Sequence, residues 1–122
     1  MASDTVVLAF DTSGPFCAAA VLINGELTAC CADEMARGQA EAIMDMIGDV
    51  LKTSGVILQD VTRIGVGTGP GNFTGIRISV SAARGFALSL GLPAIAHGNY
   101  LDLIKHDFRM KATSIFFLTC DI

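Results

Sequence analysis

The chain has 122 residues, 52% of them hydrophobic and 16% charged, which excludes intrinsic disorder and suits one domain with its own core. Its net charge is −4 and no basic cluster is present, which argues against direct, unaided binding to a nucleic-acid backbone. Residues 1–10 lack the basic start of a signal peptide, and no apolar run reaches the roughly 20 residues of a bilayer span. The expected setting is cytoplasmic, without membrane contact.

Residues 6–10 form an unbroken apolar, β-branched-rich run, which predicts a central strand buried on both faces. Asp11, Thr12, Ser13, Gly14 and Pro15 break it. A second strand is predicted over 16–23, and Asn24-Gly25 predicts a two-residue hairpin that returns through 27–32. Ala40, Ile43, Met44, Ile47, Val50 and Leu51 recur at helical spacing and predict a helix over 39–54, closed by Gly55. Met35, Met46 and Ile47 exceed what one buried stripe needs and suit an adaptable contact surface. A short strand is predicted over 64–66, a helix over 73–90, a strand over 92–96 and a third helix from Asn99 to about residue 107. The run 114–118 again reads as a strand, and FFLTCD at 116–121 loosely echoes VLAFD at 7–11. The order β-β-β-α-β-α-β-α predicts an α/β domain with a mixed five-stranded sheet, plus one extra C-terminal strand.

The four cysteines, Cys17, Cys30, Cys31 and Cys120, form no C-x-x-C pair and are expected to be buried and reduced. The two histidines, His97 and His106, stand nine apart, so no i, i+4 pair can grip a metal from one helix face. No serine or cysteine is tied by spacing to a histidine and an acid. Neither a metal site nor a catalytic residue is expected.

Residues 67–77, GTGPGNFTGIR, are the most particular stretch of the chain. Strand, glycine-rich turn and helix is the context in which backbone N–H groups converge on an anion or a tightly packed partner. Pro70-Gly71 suits the two central positions of a tight turn, and Asn72 suits the N-cap of the helix. A bare loop of this kind serves equally as a structural turn. The helix after it carries two apolar stripes. Ile76, Val80, Ala83, Ala87 and Leu90 are predicted to lie on the sheet, and Ile78, Ala82, Gly85, Phe86 and Ser89 to face outward. A helix apolar on two faces is either sandwiched in the core or packed on a partner.

The string at 67–77 resembles the signature of the TsaB (YeaZ) family, G-x-G-P-G-S-F-T-G-x-R, at ten of eleven positions, with Asn72 where the family has serine. LAFDTS, the hairpin, the helix with its Ala-Glu pair and GLPAIA agree in order and spacing across residues 6–107. The resemblance implies an actin, sugar-kinase and Hsp70-like (RNase H-like) lobe over 1–107, with 108–122 opening a truncated second lobe. The last strand would then add to the lobe's own sheet edge, swap with another copy, or stay disordered. Within the wider glycoprotease-like group, the metal-bearing partner TsaD carries a His-x-x-x-His pair. Here His97 is followed four residues later by Leu101, and Gln39 stands where the family's His-x-Glu element has its histidine.

The implied function is that of a non-catalytic scaffold for TsaD, which transfers threonylcarbamoyl to adenosine in tRNA. Its implied contact residues are Gly69, Pro70, Gly71, Asn72, Phe73, Thr74, Gly75, Arg77, Ile78, Ala82, Phe86 and Glu41. Implied partners are a TsaD-like protein and a TsaE-like ATPase, with tRNA reached only indirectly and a homodimer when the chain is alone. No cofactor is implied for the chain by itself, and weak ATP or ADP binding only with its partner. In this fold Asp11, Thr12 and Ser13 would approach metal-bound phosphate. The competing structural reading is an aspartate that accepts N–H groups from its own turn. Two alternatives remain: an actin-fold, ATP-binding phosphotransferase fragment and a glycoprotease-type metallopeptidase.

Overall fold

The computed structural model describes residues 4–67 and 73–97. β1 (Val6–Asp11) is rich in β-branched and large apolar residues, and every one of its residues is buried. It pairs antiparallel with β2 (Phe16–Ile23), from Val6 opposite Ile23 to Asp11 opposite Ala18. On its other edge it pairs in parallel with β4 (Arg63–Gly67), from Val7 opposite Arg63 to Phe10 opposite Val66. β3 (Glu26–Glu34) runs antiparallel to β2, and β5 (Ala94–His97) parallel to β4. The mixed sheet thus has the order β3-β2-β1-β4-β5, with β1 at its centre. The β2–β3 connection is the expected hairpin: Asn24 has φ 53 and Gly25 φ 83, the pair of left-handed residues a tight turn of this hand requires.

α1 (Gln39–Ser54) and α2 (Phe73–Leu90) pack on one face of the sheet. Ile43, Met46, Ile47 and Val50 of α1 join Ala83 and Phe86 of α2 over Val6, Leu8, Phe10, Val21, Ile64 and Val66. Full burial of each large side chain contributes about 1.5–3 kcal/mol, so this layer supplies most of the fold's driving force. Phe10 and Phe86 meet edge to face, with ring centroids 6.0 Å apart at 70°. The opposite face of the sheet is built small: Ala9, Ala18 and Ala20 pack together beside Phe16.

Several expectations need correction. The stripe of α2 that enters the core is Gly75, Ser79, Ala83 and Phe86, while Ile76, Val80, Ala87 and Leu90 are half-buried. Phe86 therefore belongs to the core and not to an outward face. Met46 and Ile47 are likewise core residues, and the exposed methionine of α1 is Met44, at 53%. Cysteine burial also splits: Cys17 is buried, Cys31 half-buried and Cys30 exposed, because β3 is an edge strand with little packed against it. β5 begins at Ala94 and not at 92. Pro93 has no N–H for the ladder, and the Leu92 N–H is taken by the Ala87 carbonyl at 2.9 Å. A 3₁₀ turn at Leu58–Asp60, unforeseen, is closed by the Asp60 carboxylate accepting the Ile57 N–H at 3.0 Å. The third helix, the last strand, the proposed lobe boundary, Cys120 and His106 lie outside the described residues.

Candidate functional site

β1 ends on Asp11, and the turn after it dives beneath the first turn of α2. Asp11, Thr12 and Ser13 are all buried. The Asp11 carboxylate accepts the Ser13 N–H at 2.7 Å, an aspartate turn of the kind that fixes a chain reversal. The Thr12 N–H donates to Ser79 Oγ at 2.7 Å, and the Thr12 hydroxyl donates to the Gly75 carbonyl at 2.6 Å. Thr12 Oγ1 also lies 2.6 Å from Ser79 Oγ. Since the threonine proton is already given to Gly75, the serine hydroxyl is the donor in that contact. Thr12, Ser79 and the Gly75 carbonyl thus pair with one another in a fully buried place, which stabilises where an unpaired group would cost about 1–3 kcal/mol.

Two glycines of the particular stretch make this approach possible. A Cβ on Gly75 would collide with the Thr12 carbonyl oxygen, and one on Gly67 with the Asp11 carboxyl group. Gly69, Pro70, Gly71 and Asn72, between them, lie outside the described residues.

α1 starts at the same end of the sheet. Gly38, in the left-handed region at φ 89, precedes it, and Ala42 N–H donates to Gly38 O at 3.0 Å. Gln39 is buried, and its amide reaches back to the carbonyls of Gly14 at 3.3 Å and Met35 at 3.4 Å. The residue where the resembled family has histidine is therefore a strut between α1 and the β1–β2 turn. Glu41, two residues further, is exposed.

Above this closed junction the outer sides of the two helices are open. A cavity of about 420 Å³ lies between them, lined by Ala40, Ile43, Met44, Thr74, Arg77, Ile78, Ser81 and Ala82. A second, of about 330 Å³, joins the two first turns and is lined by Arg37, Gln39, Glu41, Thr74, Gly75 and others. Phe73, 72% exposed, opens α2 beside Thr74, and Leu88, 87% exposed, lies about two turns beyond Ser81 along the same helix. The Arg77 guanidinium sits over the Phe73 ring, 5.4 Å from its centroid. Of the expected contact residues, Phe73, Thr74, Arg77, Ile78, Ala82 and Glu41 come together on or beside this surface; Gly75 lies buried below it and Phe86 in the core. Met44 had been read as part of the apolar stripe of α1 and is instead exposed, and Leu88 and Ser79 had not been singled out. Ser79 had no distinguishing signal, since Gly85 and Ser89 repeat its spacing from Gly75 on an exposed side of the same helix.

Among the described residues no group of three or more His, Cys, Asp or Glu is placed to hold a metal ion. Burial, aided by Asp33 and Cys31, pushes the Cys17 thiol up to about 11, which leaves it protonated and unreactive at neutral pH. His97 is the last residue of β5.

Residues 33–100 match the family model described as TsaD, tRNA N6-adenosine threonylcarbamoyltransferase. The chain is 34% identical to the tRNA threonylcarbamoyladenosine biosynthesis protein TsaB of Escherichia coli (strain K12), over 88% of its own length and 46% of that protein. It is 36% identical to the TsaB of Haemophilus influenzae, over 85% of its length and 44% of that protein. Among solved structures, YeaZ from Pseudomonas aeruginosa superposes with a TM-score of 0.76 at 32% identity, covering 88% of this chain and 50% of the other. The chain thus spans about half the length of the relatives it matches.

Proposed function

We propose, from the premise that this chain belongs to the TsaB (YeaZ) family, that it supports a TsaD-like enzyme in threonylcarbamoyl modification of tRNA adenosine and performs no chemistry itself. In this reading it is one lobe of the actin and sugar-kinase (RNase H-like) type. The observation that carries it is the contrast between the β1–β2 turn, whose threonine spends its hydrogen bonds inside the fold, and the open α1–α2 surface. That surface leaves Met44, Phe73 and Leu88 to solvent around a cavity, the make-up of a contact awaiting a helical partner. The acidic balance of the chain fits a subunit that reaches tRNA through its partner.

A purified TsaD-like protein from the same organism, mixed with this chain, should give a complex of the summed mass in light scattering. Leu88→Glu and Met44→Glu should each weaken that complex by about tenfold or more while leaving thermal unfolding of the isolated chain within about 0.5 kcal/mol. An undiminished complex with both variants would remove the surface from the proposal.

One observation favours a second reading, a nucleotide-binding phosphotransferase lobe. Asp11 is buried at the end of β1, beside Gly67 and below the start of α2, the place where such folds meet phosphate. ATP titrated into the isolated chain in a calorimeter separates the two. Saturable heat with turnover would favour the phosphotransferase; its absence would favour the scaffold.

A further inference from the structure

We infer that the cavity where α1 and α2 begin is a binding site for a small zwitterionic amino acid, a property that the scaffold reading neither requires nor supplies. The observation that carries it is a buried acceptor without a donor. The Gln39 side chain is 8% exposed and lines the cavity of about 330 Å³ that joins the two first turns. Its Nε2 donates to the carbonyl oxygens of Gly14 and Met35, and the amide cannot be turned over, because a carbonyl only accepts. Oε1 therefore lies on the other side of the amide, and among the described residues no hydrogen bond reaches it. An amide oxygen withdrawn from bulk water without a donor is destabilising, and native folds rarely leave one so. The donor it lacks is expected from whatever fills the cavity.

The rest of the lining says what kind of molecule carries that donor. Glu41 lines the same cavity and leans back over the start of α1: a Cβ placed on Gly38 would lie 4.0 Å from Glu41 Oε1. Gln39 Oε1 and the Glu41 carboxylate both accept, and two acceptors, one of them charged, suit an ammonium group. Arg37 also lines the cavity, and Gly38 has no side chain to offer the first N–H groups of α1. A guanidinium beside the uncapped positive end of a helix suits a carboxylate. A simple anion would meet Glu41, and a simple amine would meet Arg37. An α-amino acid carries both charges a short distance apart and is neutral overall, as this pair of lining charges is. Ala36 and Ala40 add small apolar walls, which fit a short side chain.

The test is calorimetry on the full chain with free alanine, and with N-acetylalanine and alaninamide, which lack the ammonium and the carboxylate respectively. Alanine should bind saturably, one per chain, and each blanked form should bind about tenfold or more weakly. Glu41→Gln and Arg37→Ala, both at exposed positions, should each weaken alanine by about tenfold or more and leave the unfolding midpoint in place. Gln39 is read without mutation, since it also braces the β1–β2 turn: its side-chain NH₂ resonances should shift with added alanine along the calorimetric curve. If no saturable binding is seen up to tens of millimolar alanine, the oxygen is met by water alone and the inference falls. It falls equally if the blanked forms bind as well as alanine, or if both variants bind it undiminished. None of these failures touches the proposed function, whose complex is measured without any amino acid present.

Discussion

The inner and outer sides of α2 are built on opposite rules, though they alternate along the same eighteen residues. Inward, small residues bring backbone against backbone, and the serine and threonine hydroxyls there use every proton they have. Outward, a leucine, a phenylalanine and two arginines, Leu88, Phe73, Arg77 and Arg84, are exposed. The inner side has lost its freedom to bind anything new. The outer side has kept it, which is why the functional proposal sits there and not at the buried turn.

The sharpest way to break this comparison is at Phe86. If it is a core residue, Phe86→Ala should destabilise the chain by about 3–5 kcal/mol in a urea titration, through lost burial and the cavity left against Phe10. A loss below about 1 kcal/mol would mean that the phenyl ring is dispensable to the core and that the two sides of α2 have been assigned the wrong way round. Gly75→Ala should come next. Its new methyl meets the Thr12 carbonyl, which cannot rotate away, so the expected loss is about 1–3 kcal/mol. Gly85 is the matched control: nothing lies within 4 Å of an added Cβ. Gly85→Ala should stabilise by about 0.5–1 kcal/mol, as in any exposed helix interior. Opposite signs from one substitution on two sides of one helix would sharpen the comparison. Equal signs would dissolve it.

What could be read from the sequence was whatever is decided locally. The central strand 6–11, the Asn24-Gly25 hairpin and both helices follow from runs, turn chemistry and period, and they lie within a residue or two of where these cues put them. The phase of α2 was not legible. Hydrophobicity put Ile76 and Val80 on the sheet, yet Gly75 and Ser79 face inward, because their partner Thr12 is 63 and 67 residues away. A packing site made of absent side chains leaves no hydrophobic trace. Cys30 shows the same limit: its apolar neighbours suggest burial, and only the edge place of β3 in the sheet exposes it. Gln39 was marked as a departure from the resembled family, but its use as a strut to the Gly14 carbonyl depends on a contact across 25 residues. For the outer surface, Arg77, Ile78, Ala82 and Glu41 were legible through resemblance. Leu88 carried no signal, and Met44 was read into the apolar stripe of its helix, where Met46 is the methionine that is buried.

The central place of β1 also sets an order of events when the chain folds. Its β2 edge closes through a short turn, and β3 follows through another, so the three-stranded meander forms from near neighbours. The other edge of β1 must wait for β4. Thr62, whose N–H and hydroxyl bond the carbonyl of Val6 and whose oxygen accepts its N–H, stands 56 residues along the chain. Joining ends that far apart is slower than zipping a hairpin. On a chain emerging from its N-terminus, the fully buried central strand of the sheet therefore spends the synthesis of α1 with one backbone edge unpaired. That interval is when a neighbouring nascent chain could pair there instead, and when early cover for β1 would matter most to yield.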